Sequence, residues 1–473
     1  MHESVKTLRL WQMIYLGKGA SVLRQNIHAI ISIALRLFFR RIEAVNVERV
    51  PRTGALLFVL NHPNGLVDPA LVFVSLPRRV SFLAKSTLFD NPIGAFVLRT
   101  FEILPVHRRI DPEAKLESNY STFENCFELL RRGRCIAIFP EGISHDEPQL
   151  QKIKTGAARI ALGAVSGGPG EAIGEIRETG LKIVPVGLYY TSKTTFRSEV
   201  MIRFGEVFDV EPVELDANGE PPRDAVLQLT AKIERSLRDV TLNMETASEL
   251  DAVLKAEALF SSVFENLIFK QTLTQTVLRL QDLAGKYALL EREDPQKMRE
   301  LNAKITAYED NLKASGVTTE SLSVMQHPTW YVFRYLILRG LFLIVLSPLA
   351  IVGAIIHSPA YLFSNLLGRI FKTHDVDVAG SSSTIIAAIG LMPLTWLITA
   401  SAVWYFFGLE AALISIPLTI LCGYIALRSS ETLVDMGVWL RAAWLLFRQR
   451  ALFFRLLIQR QTLKEEIDNM VEG

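Results

Sequence analysis

The sequence contains three cysteines in 473 residues, Cys126, Cys135 and Cys422. They form no C-x-x-C pair, and their separations match no familiar metal-ligand spacing. A disulfide framework is therefore not indicated, and so few cysteines fit a protein of a reducing compartment.

A large charge of either sign is also missing. Lys and Arg number 51 against 49 Asp and Glu, which gives a formal net charge of +2. This balance gives no reason to expect a nucleic-acid partner, although local basic patches for phosphate or anionic lipid are compatible with it. The N-terminal segment lacks an apolar core followed by a small-residue cleavage site, so we expect no cleavable signal peptide.

Apolar residues, by contrast, are abundant and unevenly placed. They make up 49% of the chain, and the mean hydropathy is +0.25, which is high for a soluble protein. Most of the surplus lies in residues 330–430, whereas residues 1–320 have an ordinary globular composition. This asymmetry predicts a soluble catalytic part joined to a membrane part.

Residues 46–220 have the pattern of an α/β domain. Helix-like stretches at 117–133 and 154–165 alternate with apolar, β-branched runs that are bounded by turn residues. These runs are ALLFVL (55–60), RVSFLA (79–84), CIAIF (135–139), KIVPVGLYY (182–190) and VMIRFG (200–205). The alternation predicts a mixed sheet flanked by helices.

The regions on either side of this domain are predicted to be helical. Residues 1–45 contain an apolar stretch with a basic end at 27–42, which favours interfacial helices over a packed core helix with a solvated end. Residues 221–325 have little Gly or Pro and alternate charges with Leu and Ala, which predicts a solvated helical subdomain. A lid, a spacer or an interaction surface is the alternative interpretation of this block.

Membrane-embedded helices are predicted in residues 326–430. The segment 384–427 is apolar and long enough for a two-pass hairpin, and 340–371 is predicted to be re-entrant or interfacial. The second prediction follows if all the flanking basic residues are cytoplasmic, namely Arg334, Arg339, Arg369, Lys372, Arg428 and Arg441. Three full crossings are the alternative. With an amphipathic C-terminal helix over 431–473, we expect an integral membrane protein whose catalytic domain is on the cytoplasmic face.

The stretch LNHPNGLVDPA (60–70) follows a predicted strand. Its polar groups are therefore expected at the carboxyl end of the sheet, where α/β folds place their sites. His62 and Asp68 are close in sequence, and a carboxylate that fixes the tautomer of a histidine suits that histidine to deprotonate a hydroxyl. Taken alone the pair is a weak signal, since a structural histidine is the commoner case.

A second polar stretch, FPEGISHDEPQL (139–150), also follows a strand. Glu141 is a candidate acceptor of hydrogen bonds from a substrate hydroxyl, and Gly142 allows a ligand to approach the backbone closely. The structural alternative is a turn capped by Ser144.

Cations form a third set of candidates. Lys85, Arg108 and Arg109 lie near the ends of strands in residues 84–109. Arg forms paired hydrogen bonds to phosphate oxygens, which suits a phosphate-bearing acceptor. Surface cations are common, so their interpretation depends on their neighbours.

The ordered set NHPNGLVDP, LPVHRR, FPEGISH and IVPVGL resembles the four blocks of the glycerolipid acyltransferase family, over about residues 46–210. The resemblance implies an acyl-CoA or acyl-carrier-protein donor, no cofactor, and an acceptor such as glycerol 3-phosphate or lysophosphatidic acid. It also implies residue roles. These are His62 as the base, Asp68 as its partner, Arg108 as a phosphate ligand, and Glu141 and Gly142 in acceptor binding.

One departure concerns spacing. Most of the family has four residues between the His and the Asp, whereas five are present here, Pro63 to Val67, and pairing then requires a reshaped turn. The longer spacing resembles the fungal-type glycerol-3-phosphate/dihydroxyacetone-phosphate acyltransferases. SLRDVTLN (236–243) and DVDVAGSSS (375–383) are similar to that subgroup too, which favours the first acylation of glycerol 3-phosphate.

The resulting hypothesis is acyl transfer without a covalent acyl-enzyme, for which no G-x-S-x-G elbow is present. His62 deprotonates the acceptor hydroxyl, and the alkoxide attacks the thioester. Arg108, aided by Lys85, Arg109 or Lys154, holds the phosphate so that the two substrates meet. A backbone N–H in the turn after His62 is a candidate oxyanion donor.

Four alternatives stay open. A metal site made of His107, His145, His62 and Asp68 matches no familiar ligand pattern, so no metal is expected. His107 is instead expected beside the phosphate ligands, and His145 in a loop. The other candidate functions are acylation of lysophosphatidic acid, a non-catalytic lipid-binding membrane protein, and a thioester hydrolase.

Overall fold

The structure is a computed structural model. It describes residues 5–7, 22–76, 78–90, 92–100, 103–107, 119–167, 180–260, 272–317, 329–371 and 380–472. The chain divides into two compact units, Met1–Asn243 with Leu367–Ile386 and Met244–Leu366 with Ala387–Gly473. Each unit has its own core of buried apolar side chains.

Strands and helices are numbered here in chain order. The strands are β1 (Val5–Thr7), β2 (Arg41–Val45), β3 (Ala55–Leu60), β4 (Val80–Lys85), β5 (Leu104–Val106), β6 (Cys135–Ile138), β7 (Leu181–Tyr190), β8 (Glu199–Phe204) and β9 (Phe208–Val210). The α-helices are α1 (Val22–Phe38), α2 (Val67–Ser75), α3 (Pro92–Thr100), α4 (Asn119–Arg131), α5 (Gly156–Ser166), α6 (Arg223–Val240), α7 (Ala247–Phe260), α8 (Leu273–Glu293), α9 (Pro295–Ser315), α10 (Thr329–Phe371), α11 (Gly380–Phe407), α12 (Leu409–Arg448) and α13 (Arg450–Glu472).

The strands of the described residues form one mixed sheet, as predicted. Its order is β1-β2-β8-β7-β3-β6-β4-β5, and β9 pairs with β7. The five strands β5, β4, β6, β3 and β7 are all parallel to their neighbours in this row. Strands β8 and β9 run antiparallel to β7, and β2 runs parallel to β8. The carboxyl ends of five parallel strands therefore lie along one edge of the sheet.

Strand β3 is central, and all six of its side chains are buried. A parallel strand with neighbours on both sides reads as a continuous apolar run because both faces of such sheets are covered. Leu57 and Val59 belong to the same core as Leu130 of α4, Ile160 of α5 and Ile233 of α6. Three helices thus cover the strand from which the loop of His62 departs.

The N-terminal region differs from the prediction at its end. The apolar pattern predicts one helix over 27–42, but α1 ends at Phe38 and β2 begins at Arg41. The predicted boundary at residue 46 is therefore too late, because β2 pairs along its whole length with β8 inside the sheet. Residue 46 follows the strand instead of preceding the domain.

One face of α1 packs within the same unit. The rings of His28 and Phe73 meet edge to face with centroids 4.9 Å apart, which joins α1 to α2. On α1, Ile30, Ile33 and Leu37 are exposed. An apolar exposed face is compatible with contact to a membrane surface, and the interfacial location stays a prediction.

The α/β unit also extends past the predicted end at residue 220. Side chains of α6, among them Val226 and Leu237, share the core with β3. The backbone of α6 ends directly against β7: a Cβ at Gly187 would lie 2.0 Å from the carbonyl oxygen of Val240. The predicted helical block 221–325 therefore begins too early, since its first helix belongs to the sheet.

In the second unit, α7, α9 and α13 form a helical core. Leu259, Ile305, Leu312, Phe453 and Leu456 are buried together there. The helical character predicted for this part of the chain agrees with the structure. The predicted single helix over 431–473 does not, because α12 continues to Arg448 and α13 starts at Arg450.

Three helices are long and apolar enough to cross a membrane, with candidate spans Phe333–Ile370, Thr384–Phe407 and Leu409–Gly437. Gly408 alone separates α11 from α12, as expected for a tight hairpin. A re-entrant path over 340–371 is not what the structure shows, because α10 is one continuous helix through Pro348 and Pro359. The number of full crossings and the interfacial alternative stay predictions.

Candidate active site

The sheet topology brings the sequence-predicted stretches to one edge. His62 follows the end of β3, Glu141 follows the end of β6, and Lys85 is the last residue of β4. Tyr190 is the last residue of β7, and His107 follows β5. Because these five strands are parallel and adjacent, residues at their carboxyl ends are neighbours despite separations of up to 128 positions, from His62 to Tyr190.

His62 and Asp68 form the pair that the sequence predicts. His62 Nδ1 lies 2.8 Å from Asp68 Oδ2, and the Asp68 side chain is fully buried. The turn between them is reshaped to fit five residues. Val67 N–H donates to Asn64 O at 2.9 Å, and Gly65 has a φ of 43° that favours glycine. Asp68 then falls in the first turn of α2, close to the imidazole.

Two further donors fix the Asp68 carboxylate. Asn64 N–H donates to Oδ2 at 2.7 Å, and the Tyr190 hydroxyl donates to Oδ1 at 2.5 Å. Burial raises the pKa of Tyr190 well above its ordinary value, and the adjacent Asp68 charge and hydrogen bond raise this pKa further. The phenol therefore stays a protonated donor, and the carboxylate accepts from three groups.

The two ring nitrogens of His62 differ in availability. An ionised Asp68 can only accept, so Nδ1 carries the hydrogen in the neutral imidazole and Nε2 keeps a lone pair. Nε2 has no hydrogen-bond partner among the described residues. The ring stacks on Phe139, with centroids 4.0 Å apart and planes at 17°, and 18% of the side chain is exposed. This geometry suits Nε2 to accept a proton from a bound hydroxyl.

Glu141 anchors the main chain of His62. Its Oε1 accepts from His62 N–H at 2.9 Å, and its Oε2 accepts from Gln151 N–H at 2.8 Å and contacts His145 Nε2 at 2.5 Å. The Glu141 side chain is fully buried. The acceptor-binding role implied for Glu141 stays a prediction, and the contacts that the structure gives it are positional.

His145 is more than the loop residue that the sequence predicts. Besides contacting Glu141, it donates from its backbone N–H to His62 O at 3.3 Å. The neighbouring Ser144 Oγ accepts from Gly65 N–H at 2.9 Å. The loop after β6 thus holds the loop after β3 through several hydrogen bonds, which keeps the turn of His62 in one conformation.

The structure brings Gly142 and Lys154 together. Gly142 has a φ of 71°, and a Cβ there would lie 2.4 Å from Lys154 Nζ. Lys154 N–H donates to Pro140 O at 2.8 Å, which brings the backbone of Lys154 beside the same turn. The positive φ is the reason for glycine at this position. Lys154 is exposed, and its charge lies one residue from Glu141.

The structure describes only some of the remaining candidate side chains. Lys85 and His107 are half-buried at the ends of β4 and β5. Arg108 and Arg109 lie outside the described residues. Among the residues that the structure does describe, no group of three or more His, Cys, Asp or Glu side chains is arranged to hold a metal ion.

The turn after His62 offers few oxyanion donors. His62 N–H donates to Glu141, Asn64 N–H to Asp68, Gly65 N–H to Ser144 and Val67 N–H to Asn64 O. Pro63 has no N–H. A candidate oxyanion donor in this turn is thus narrowed to the backbone of Leu66, or to that of Asp68 at the start of α2.

Two family descriptions match the chain. Residues 41–189 match the family described as Acyltransferase, and residues 269–473 match the one described as Glycerol-3-phosphate acyltransferase 2 C-terminal domain. The first match contains the sheet edge with His62, Asp68 and Glu141. The second contains the three long apolar helices and α13.

Curated relatives agree with both matches. Glycerol-3-phosphate O-acyltransferase 2 of Saccharomyces cerevisiae is 31% identical over 59% of this chain and 36% of its own length. Glycerol-3-phosphate O-acyltransferase 1 of the same yeast is 26% identical over 70% of this chain and 53% of its own length. The chain thus spans little more than a third of one relative and about half of the other. The 1-acyl-sn-glycerol-3-phosphate acyltransferase LPAT1, chloroplastic, of Arabidopsis thaliana is 26% identical over 33% of this chain and 38% of its own length.

The ordered motifs, the His62–Asp68 pair at the sheet edge and the two family matches agree with one another. The chain thus resembles the glycerolipid acyltransferases, with residues 41–189 similar to the Acyltransferase family and residues 269–473 similar to the family described as Glycerol-3-phosphate acyltransferase 2 C-terminal domain.

Proposed function

We propose that this chain transfers a fatty acyl group from acyl-CoA or acyl carrier protein to a hydroxyl of glycerol 3-phosphate, a step of phospholipid synthesis. The carrying observation is the imidazole of His62, which pairs with a buried carboxylate through Nδ1 and whose Nε2 has no hydrogen-bond partner among the residues that the structure describes. No cofactor enters the proposal, because a positioned base and an activated thioester are sufficient for the reaction.

The chemistry balances with these groups alone. Nε2 of His62 takes the proton of the acceptor hydroxyl while its oxygen attacks the thioester carbonyl carbon. The tetrahedral intermediate collapses, the C–S bond breaks, and the leaving thiolate recovers the proton from the imidazolium. Asp68 stabilises the positive charge on His62 between the two transfers. The products are the acyl ester and the free thiol of the donor.

Phosphate binding is proposed for Lys154, with Lys85, Arg108 and Arg109 as further candidates. The support for Lys154 is its ammonium group over Gly142, one residue from the carboxylate that anchors His62. A cation at this place would hold the acceptor phosphate while the hydroxyl meets Nε2.

Glycerol 3-phosphate is favoured as the acceptor for two reasons. The C-terminal match over residues 269–473 carries the name of a glycerol-3-phosphate acyltransferase, and so do the two yeast relatives. The second candidate is 1-acylglycerol 3-phosphate, supported by the Arabidopsis relative over a third of the chain. Both acceptors carry the phosphate and the hydroxyl that the mechanism requires.

We also propose that the chain is an integral membrane protein with its catalytic unit on the cytoplasmic face. The support is the hairpin of candidate spans Thr384–Phe407 and Leu409–Gly437 together with Arg334, Arg339, Arg428 and Arg441. If only this hairpin crosses fully, these basic residues share one face, and basic flanks favour the cytoplasmic side. Protease digestion of sealed right-side-out and inverted vesicles tests the orientation. Cleavage of the α/β unit only in right-side-out vesicles would contradict it.

An acceptor panel tests the function. Membranes containing the protein receive labelled acyl-CoA or acyl carrier protein with glycerol 3-phosphate, dihydroxyacetone phosphate or 1-acylglycerol 3-phosphate. We expect a labelled ester chiefly with glycerol 3-phosphate, and none from membranes with the His62→Ala variant. Use of 1-acylglycerol 3-phosphate alone would overturn the proposed acceptor. Acceptor-independent release of free fatty acid would identify a hydrolase, and no turnover with any donor would favour a non-catalytic lipid-binding protein.

A further inference from the structure

The hydroxyl of Tyr190 contacts the carboxylate of the proposed catalytic pair at the oxygen that does not face His62. Tyr190 ends β7, and its side chain donates to Asp68 Oδ1 at 2.5 Å inside the core. We propose that Tyr190 is a positioning residue that acts on His62 through Asp68, by fixing the orientation of the carboxylate. This inference rests on the function proposed above, because it assigns Tyr190 to the same reaction.

The two carboxylate oxygens of Asp68 have different hydrogen-bond partners. Oδ1 accepts from Tyr190, whereas Oδ2 accepts from Asn64 N–H at 2.7 Å and faces His62 Nδ1 at 2.8 Å. The terminal torsion of an Asp side chain has a broad energy minimum, so one fixed oxygen does not fix the other. With donors on both oxygens, the plane of the carboxylate is set and Oδ2 stays aimed at the imidazole.

The charge of the carboxylate depends on the same hydrogen bond. A donor to an ionised carboxylate stabilises its charged form. Tyr190 can keep this role at any physiological pH because burial and Asp68 raise the pKa of its phenol well above the ordinary value. Asp68 then stabilises the imidazolium of His62 without taking its proton.

The Tyr190 ring is packed in the core, so the hydroxyl can be removed by mutation while the packing of the ring is kept. The ring lies beside Phe39, with centroids 5.8 Å apart, and only 8% of Tyr190 is exposed. Tyr190→Phe keeps this ring and removes one oxygen. Tyr189→Phe is the matched control, because Tyr189 is the preceding residue of β7 and its side chain points to the opposite face of the sheet.

The first experiment measures steady-state kinetics and pH profiles in purified membranes. We expect Tyr190→Phe to lower kcat about tenfold, the equivalent of one lost hydrogen bond, with KM changed less than about twofold. The acidic limb of kcat/KM should move to higher pH, because a carboxylate that has lost one hydrogen-bond donor interacts more strongly with the imidazolium of His62. Tyr189→Phe should change neither. A fall in activity that follows only the loss of folded protein, with an unmoved pH profile, would overturn the inference.

A double-mutant cycle tests the route. In an Asp68→Asn background, adding Tyr190→Phe should change kcat less than about twofold, because the residue through which it acts is already altered. A further tenfold loss would mean that Tyr190 works by another route. The cycle also remains informative if Tyr190→Phe alone folds poorly. In the Asp68→Asn background, the buried carboxylate that would lose its hydrogen-bond donor is absent.

A third readout does not need turnover. Diethyl pyrocarbonate modifies the neutral imidazole, so the rate of carbethoxylation at His62, followed by peptide mass spectrometry, reports its protonation against pH. The midpoint should be the same in the wild type and Tyr189→Phe, and higher in Tyr190→Phe. Equal midpoints in all three proteins would contradict the proposed role of Tyr190 without contradicting the proposed acyl transfer. Conversely, a shifted midpoint in a protein without transferase activity would separate this inference from the proposed function.

Discussion

Two histidines in two regions of the molecule show what distinguishes a proposed base from a structural side chain. At the sheet edge, His62 uses Nδ1 against Asp68, and Nε2 has no partner in the part of the chain that the structure describes. In the apolar helices, His357 uses both ring nitrogens. Nδ1 donates to Gly353 O at 2.9 Å, and Nε2 accepts from Trp396 Nε1–H at 3.0 Å. Only the first ring has a lone pair left for a substrate.

The surroundings of the two rings differ in the same sense. The His62 ring is partly exposed and stacks on Phe139, so a substrate can reach its edge. The His357 ring packs closely against the backbone of a neighbouring helix: a Cβ at Gly423 would lie 2.6 Å from its Cε1 atom. A polar group in an apolar helix bundle joins helices through hydrogen bonds, and small residues let the backbones approach. The comparison therefore assigns proton transfer to one histidine and helix packing to the other.

The sharpest way to break this comparison is to remove each imidazole. His62→Ala should lower kcat/KM for acyl transfer about 10³-fold, because a positioned general base contributes about 10²–10⁴. The measurement is the initial rate of labelled ester formation, with thermal unfolding as a check on folding. His357→Leu is the matched control and should retain most of the activity. Equal losses in the two variants would remove the distinction between the histidines.

Asp68→Asn is expected to have the next largest effect. The amide keeps the shape of the side chain but cannot stabilise an imidazolium as a carboxylate does, so kcat should fall on the order of 10²-fold with little change in KM. Asp146→Asn is the control, since Asp146 pairs with the surface residue Lys193 among the described residues and its side chain is 89% exposed. A kcat for Asp68→Asn within twofold of the wild type would contradict the pairing as a part of the mechanism.

Glu141→Gln decides between two roles of one residue. Positioning of His62 predicts a fall in kcat of about tenfold with an unchanged KM, because Gln cannot accept from His62 N–H and Gln151 N–H through two oxygens. Direct binding of the acceptor predicts a rise in KM instead. Glu147, which is exposed in the same loop, supplies the control Glu147→Gln. The kinetic constants for the acceptor separate the two roles.

Local spacing suggested the His62–Asp68 pair, and the resemblance to the acyltransferase motifs supplied its role. Six positions on one turn and the start of one helix bring the side chains together. The other contacts of the site join distant segments. Glu141 lies 79 positions from His62, and Tyr190 lies 122 positions from Asp68. They depend on β6 and β7 flanking β3, an order that periodicity does not contain. From the sequence pattern, Tyr190 is therefore predicted only to end an apolar strand.

The domain boundaries failed for a related reason. Val226, Ile233, Leu237 and Val240 mark one apolar face of α6, but the spacing does not tell which core that face covers. The re-entrant path over 340–371 was predicted from the side on which the flanking basic residues lie, and such charges do not tell whether a segment turns back. The helix α10 continues through Pro348 and Pro359, as apolar helices in membranes can.

Lys154→Met tests the cation that the fold brings to the site. Loss of a charge-assisted hydrogen bond to phosphate, worth about 1.5–3 kcal/mol, should raise KM for the acceptor at least tenfold and leave kcat nearly unchanged. Lys152→Met is the matched control, since Lys152 is also exposed and lies two positions earlier. A similar rise in both variants would indicate a general effect of surface charge. No rise in Lys154→Met would transfer phosphate binding to Lys85, Arg108 or Arg109.

His357→Leu should give the smallest effect, and in stability alone. The variant loses the acceptor of Trp396 Nε1–H, and hydrogen bonds between apolar helices contribute about 0.6 kcal/mol on average and at most about 1.7. The midpoint temperature of thermal unfolding in detergent should therefore fall by a few degrees. The kcat of the protein that stays folded should be unchanged. Trp396→Phe should cost about the same, and the double variant little more, because both singles break one bond. Full additivity would mean that the bond does not join these helices, and a large loss of kcat at normal stability would give His357 a catalytic role that its two engaged nitrogens argue against.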